Sequence, residues 1–210
     1  MIKDDTLPTF KTKIFLSINF KVPRYFSHPE CFSRIWQMNP DFKLFLIVRD
    51  PTTRTISDFV HLQALNRLDR SLTFPQAVLT PGGQINQDMP IVKESIYYNN
   101  MIRLLEWFPP EQIMLINGEE FTRNPYPIVK EAEQFLEAPD FIRPYDFVYD
   151  QKRGFYCMRE GSQYSECMPS NKGRTHPYVQ PQLVEKLRDF FRPHNQKLKQ
   201  LINKDWAWLD

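Results

Sequence analysis

Two clusters of residues in this chain combine types and spacings suited to holding an anion. The first is Arg49-Asp50-Pro51-Thr52-Thr53-Arg54-Thr55-Ile56-Ser57-Asp58. Arg49 closes the apolar run 44–48, and Ser57 lies about two helical turns further on. A guanidinium offers bidentate charged donors and a hydroxyl adds a neutral one, a combination that can grip a phosphate. The same residues allow a structural reading, in which Arg49 pairs with a nearby carboxylate, Asp50 caps a helix and Arg54 pairs with Asp58 at i,i+4. Taken singly, the spacing favours the structural reading. The second cluster is Lys152-Arg153-Gly154-Phe155-Tyr156-Cys157, then Cys167, then Lys172-Gly173-Arg174-Thr175-His176-Pro177. Lys172, Arg174, the glycine and backbone amides suit a polyphosphate, and Tyr156 could stack on a base. The alternative is a stapled surface loop with solvated charges. A disulfide across so short a loop would contribute roughly 2–3 kcal/mol.

The charge distribution points the same way as the second cluster. With 27 Lys and Arg against 25 Asp and Glu, the net charge of +2 names no partner. Residues 151–210, however, hold 11 basic and 6 acidic side chains, against 16 and 19 in residues 1–150. An anion is therefore expected at the last third of the chain. The 41% hydrophobic and 14% aromatic content is that of one globular domain, taken here as 1–210. The longest apolar run has five residues, far below the ~18 of a spanning helix, and no signal peptide is expected at the start of this sequence. None of the six glycines lies in the first 81 residues, so no glycine-rich phosphate loop is expected there. Cys31, Cys157 and Cys167 show no metal-ligand spacing, and no metal is expected.

The elements that must position these clusters follow from hydrophobic periodicity. Residues 13–20 and 42–48 read as strands, the second continuous enough to be covered on both faces. A short helix over 29–38 should turn Phe32, Ile35 and Trp36 inward. Asp50-Pro51 starts a helix to about residue 67, with Ile56, Phe59 and Val60 buried. Residues 68–92 read as loop with a short helix at 74–79 and a turn at Pro81-Gly82-Gly83. Helices follow at 94–108, 125–136 and 181–202, with a strand at 112–116 closed by Asn117-Gly118. Residues 139–178 read as irregular. Alternating strands and helices mean an α/β fold with a mainly parallel sheet, whose ligands bind at the carboxyl ends of the strands.

Together the two clusters, R-D-P-x-x-R-x-x-S-D and G-F-Y-C…C…K-G-R-x-H-P, resemble the heparan sulfate glucosamine 3-O-sulfotransferases, over residues 20–210. Ser95-Ile96-Tyr97, Trp107-Phe108-Pro109, Ile116-Asn117-Gly118 and the closing Phe190-Phe191…Asn195…Trp208 occur in the matching order. The resemblance implies a P-loop-NTPase-like sulfotransferase fold: a central, mainly parallel sheet flanked by helices. It implies that Arg49 and Ser57 grip the 3′-phosphate of the sulfate donor PAPS. Tyr156, Lys172, Gly173, Arg174, Thr175 and His176 would form the rest of the donor site. Lys21 would sit near the reacting centre as the catalytic lysine. Together with His61, Lys172 and Arg174 it would also touch the glycan. Cys157 and Cys167 match the family disulfide, leaving Cys31 unpaired and buried. Sulfate transfer to the 3-hydroxyl of glucosamine in heparan sulfate is implied, in the Golgi lumen, by a monomer without nucleic-acid partners or metal.

The chain also departs from that pattern. The family's K-x-G-T loop for the 5′-phosphosulfate, the glutamate that serves as general base, and the type II membrane anchor have no counterpart here. Val22 stands where Ser or Thr is usual, and His61 where relatives often carry glutamine. The chain is therefore expected to be an N-terminally truncated domain. The competing expectation is a module that binds heparan sulfate or nucleotide without transfer.

Overall fold

The computed structural model describes residues 25–152, 154–160, 163–164 and 176–210. The expected strand over 13–20, Lys21, Cys167 and Lys172 to Thr175 lie outside the described residues. In chain order the elements begin α1 (Glu30–Met38), β1 (Leu44–Val48), α2 (Pro51–Ala64), α3 (Phe74–Val78), α4 (Pro90–Lys93) and α5 (Tyr97–Leu105). They continue β2 (Ile113–Asn117), α6 (Gly118–Arg123), α7 (Pro125–Phe135), β3 (Phe147–Asp150), β4 (Phe155–Glu160), β5 (Gln163–Tyr164) and α8 (Pro181–Ile202).

β1 and β2 pair in parallel, with Val48 opposite Asn117, so both strands end together. Chain polarity thus delivers Arg49 and Gly118, the residues that follow, to one place. The expected parallel arrangement holds for this pair. The region expected to be irregular instead contains the antiparallel strands β3-β4-β5, with Tyr149 opposite Tyr156 and Val148 opposite Cys157. The β3–β4 turn is fastened by Asp150, whose carboxylate accepts from the Lys152 amide at 2.9 Å and whose carbonyl accepts from Gly154. Gly154 takes φ +74° there, a conformation open to glycine.

Two clusters of apolar side chains hold the helices. Ile56 and Phe59 of α2 meet Phe74, Val78, Ile91, Leu187 and Phe191 in one, while Phe32, Val48, Met101, Leu104, Phe108 and Leu198 form the other. α8 enters both because its apolar residues recur at helical spacing: Leu183, Leu187, Phe191, Leu198. Burying a leucine such as Leu187 in full contributes about 1.5–3 kcal/mol.

Several expectations change. α2 stops at Ala64 rather than near residue 67, and α4 occupies part of the stretch expected as loop. Strand β1 is not covered on both faces by the described residues: Phe45 is 43% and Ile47 52% exposed, although Phe45 meets Phe135 of α7 edge-on at 5.4 Å. Trp36 faces outward against Trp107, because the inward stripe of α1 passes through Phe32 and Ile35 and leaves the next position turned away. Cys31 is free, as expected, but half-buried rather than buried. Among the described residues no helix is long and apolar enough to cross a membrane.

Candidate functional site

The site begins where β1 gives way to α2. Pro51 opens the helix, and the Asp50 carboxylate accepts from the amides of Thr52 (3.1 Å) and Thr53 (3.2 Å) and from the Thr53 hydroxyl (2.6 Å). These bonds satisfy donors that a helix start leaves unpaired. Arg54 is drawn inward, donating to Ser95 Oγ at 2.9 Å and to Glu94 Oε2 at 3.2 Å, with Asp58 3.7 Å away. Thr55 and Ser95 share a buried hydrogen bond at 2.9 Å. Arg54 and Thr55 therefore fasten α2 to α4 and the Glu94-Ser95 segment that follows it, while Asp50 caps α2.

Arg49 is placed differently. Its Nε donates to Glu119 Oε1 at 3.1 Å, and the same oxygen accepts from the Asp50 amide at 3.3 Å. The structural reading of the first cluster is thus correct for Arg49, Asp50 and Arg54. It does not use up the arginine: Nη1 and Nη2 have no hydrogen-bond partner among the described residues, and the side chain is 40% exposed. Ser57, half-buried on α2, likewise has an uncommitted hydroxyl among the described residues. His61 lies one turn further along the same helix, half-buried.

Beneath Arg49 lies Tyr97, the first residue of α5, which accepts a long hydrogen bond of 3.4 Å from the Arg49 amide. Burial pushes its phenol up to about 12, against the opposing pull of Arg54, so it stays protonated at neutral pH. β2 ends at Asn117, whose side chain caps α6 by accepting from the Glu119 amide at 3.1 Å. The expected Asn117-Gly118 turn is thus a helix start that aims Glu119 at Arg49.

One described residue of the second cluster, His176, lies within electrostatic reach of Arg49. The imidazole of His176 is held below its ordinary pKa, first by partial burial and then by the Arg49 guanidinium. Tyr156 sits on β4, half-buried, its ring meeting Tyr149 edge-on at 5.2 Å. α6, which carries Glu119, packs against β4. Cys157, the next residue of β4, is buried.

Glu119 and Gly118 were not singled out for this role in the sequence. The available signal was an acid directly after a glycine at the carboxyl end of a buried strand.

Parallel strands ending together, with an arginine and a helix-capping acid at their carboxyl ends, define a site for an anionic group at the edge of an α/β sheet. The chain belongs to the sulfotransferase domain family, which it matches over residues 18–202. It is 37% identical over 191 residues to the mouse and human proteins named heparan sulfate glucosamine 3-O-sulfotransferase 5, covering 90% of this chain and 55% of each relative. The mouse heparan sulfate glucosamine 3-O-sulfotransferase 3B1 is 32% identical over 212 residues, covering 97% of this chain and 52% of that protein. The chain thus spans about half the length of the curated relatives it matches. The crystal structure of a sulfotransferase from Alicyclobacillus acidocaldarius superposes with a TM-score of 0.63 at 23% identity, over 89% of this chain and 65% of that one, a likeness of fold.

Proposed function

We propose that this chain serves the transfer of sulfate from PAPS to the 3-hydroxyl of glucosamine in heparan sulfate. The observation that carries the reading is Arg49 at the shared carboxyl ends of β1 and β2, held by Nε and 40% exposed, with His176 of the basic C-terminal segment within its electrostatic reach. The residues fit an anionic donor: among the described residues Arg49 keeps its terminal fork uncommitted and Ser57 its hydroxyl, and His176 adds a further donor. In this reading Arg49 and Ser57 hold the 3′-phosphate, and Tyr156 and the segment 172–176 complete the donor site. Lys21 and His61 act with Lys172 and Arg174 on the glycan. The transfer breaks the S–O bond to the donor's phosphate and forms one to the glucosamine oxygen. The hydroxyl proton passes to a base, and adenosine 3′,5′-bisphosphate leaves. The relatives' names supply the acceptor, and family membership supplies the donor.

The pairing of Cys157 with Cys167 belongs to the same proposal, as does a Golgi location. It is supported by Cys157 lying buried on β4 while Cys31 is the free cysteine among the described residues.

One observation favours binding without transfer by these residues alone. The carboxylates beside Arg49 are both engaged, Asp50 on the α2 amides and Glu119 on Arg49. Calorimetry with adenosine 3′,5′-bisphosphate, beside a sulfation assay on heparan sulfate, separates these readings. Binding that Arg49→Ala weakens by about tenfold to a hundredfold is expected, since a charged hydrogen bond contributes roughly 1.5–3 kcal/mol. Binding with transfer establishes the enzyme, binding without it the module, and no binding removes the donor-site assignment.

A further inference from the structure

Arg49 has three nitrogens on which an anion or acceptor can sit, and among the described residues one of them is filled. Glu119 occupies Nε alone, through a single oxygen, at 3.1 Å. That oxygen is itself fixed by the Asp50 amide, so it cannot slide toward Nη1 or Nη2 without losing a second bond. The other oxygen, Oε2, is buried with no hydrogen-bond partner among the described residues. A carboxylate placed to neutralise an arginine would use both oxygens side by side, the bidentate geometry that gives such pairs their strength. Here the acid accepts an unsatisfied oxygen and leaves the fork open. The stem is confined as well. A Cβ on Gly118 would stand 2.6 Å from Arg49 Cγ and 3.1 Å from the Val48 carbonyl, so the side chain lies directly over the glycine backbone.

We propose that Glu119 is a positioning residue for the anion site: it holds Arg49 by Nε so that Nη1 and Nη2 point away, free and pre-oriented, for the phosphate of the donor. The inference rests on the functional reading above and adds to it the residue that sets the arginine's geometry. The arrangement has an electrostatic cost, because a carboxylate beside an anion site repels the anion. Orientation wins only if the arginine would otherwise sample many rotamers, as an exposed long side chain does. Two substitutions separate the contributions. Glu119→Gln keeps an acceptor for Nε and removes the charge. Glu119→Ala removes both.

The experiment uses the full chain in two measurements. In the first, without any ligand, the Arg49 Nε–H is followed by NMR. Its protection from exchange should persist in the Gln variant and vanish in the Ala variant. In the second, calorimetry with adenosine 3′,5′-bisphosphate should give the Ala variant about tenfold weaker affinity, and the Gln variant an affinity equal to or tighter than the parent. Thermal unfolding checks that both variants are folded. Should the Ala variant misfold, Glu119→Asp, which withdraws the carboxylate from Nε, takes its place with the same expected loss. Unchanged exchange or unchanged affinity in the Ala variant overturns the positioning role, as does a Gln variant as weak as Ala. If the parent chain binds no bisphosphate while the exchange result holds, the donor assignment fails and the Arg49–Glu119 geometry stands.

Discussion

The Arg49 guanidinium acts on the His176 imidazole, although the two residues lie in different thirds of the chain. Partial burial first, and then repulsion by the Arg49 guanidinium, hold the His176 imidazole below its ordinary 6.5. A phosphate bound on Arg49 would reverse the sign of the local field and raise the His176 pKa. Binding of adenosine 3′,5′-bisphosphate should therefore take up a proton at His176, and affinity should improve as pH falls through about 6.5. The ligand's own phosphate also titrates near there, so the quantity to measure is a difference. Calorimetry in buffers of unlike ionisation enthalpy should show less proton uptake for His176→Gln than for the parent. Equal uptake in the two proteins would mean that the imidazole does not face the bound anion.

The Asp50 cap makes a prediction about stability rather than binding. Its carboxylate accepts three hydrogen bonds at the start of α2, two from amides and one from the Thr53 hydroxyl. Asp50→Ala should lower stability by about 0.5–2 kcal/mol, the usual cost of losing such a cap. Asp50→Asn should restore most of it, since an amide oxygen also caps. Denaturant melts of the three proteins test this, and an Ala variant as stable as the parent would contradict it.

The first half of this architecture was legible because its signals are local. An aspartate followed by proline announces α2, and the spacing of Leu183, Leu187, Phe191 and Leu198 carries α8 through Pro193 to residue 202 as expected. Register was not legible. That Val48 lies opposite Asn117, and so that Arg49 meets Glu119, depends on strand pairing across an intervening stretch of helices. Nothing in the run Ile116-Asn117-Gly118-Glu119 distinguishes a turn from a helix cap until its neighbour is known. The β3–β4 hairpin was missed for a different reason. Its strands are short, and Lys152 with Gly154 between them resembles any polar loop. Trp36 shows the limit of apolar pattern alone, since a bulky ring at a helix edge can face solvent when a second ring, Trp107, covers it.

His194 contributes to the pH dependence of folding. It lies half-buried on α8 beside Phe190, with ring centroids 5.6 Å apart. Burial first, and then the nearby Lys197, hold its pKa below 6.5. The unfolded chain therefore binds the proton more readily than the folded one. The stability this group contributes is fully present above about pH 6.5, and is lost as pH falls through the depressed folded value. His194→Gln should flatten the stability profile between pH 7 and pH 5. Melts across that range check it, and a parent slope unchanged by the substitution would assign the dependence elsewhere. His176, also held below its ordinary value, contributes with the same sign.

Gly118 gives the most specific prediction, because two ordinary rules oppose each other at this position. It is the first residue of α6, and its φ lies outside the left-handed region that would require glycine. Alanine in a helix is favoured over glycine by about 0.8–1.0 kcal/mol, so Gly118→Ala would be expected to stabilise. The added Cβ, however, would stand 2.6 Å from Arg49 Cγ, inside any tolerable contact, and 3.1 Å from the Val48 carbonyl oxygen. The carbonyl belongs to the β1–β2 ladder and cannot move freely. The Arg49 stem must therefore shift, drawing Nε away from Glu119. Overpacking of this kind costs about 1–3 kcal/mol, which exceeds the propensity gain over most of its range. Gly118→Ala should lower the melting temperature slightly and weaken bisphosphate binding by a larger factor, in the manner of Glu119→Ala. Because both changes act through Arg49, the double variant should bind no more weakly than the worse single one. A Gly118→Ala protein with raised stability and parental affinity would show that Arg49 reaches its anion by a path that does not cross this glycine.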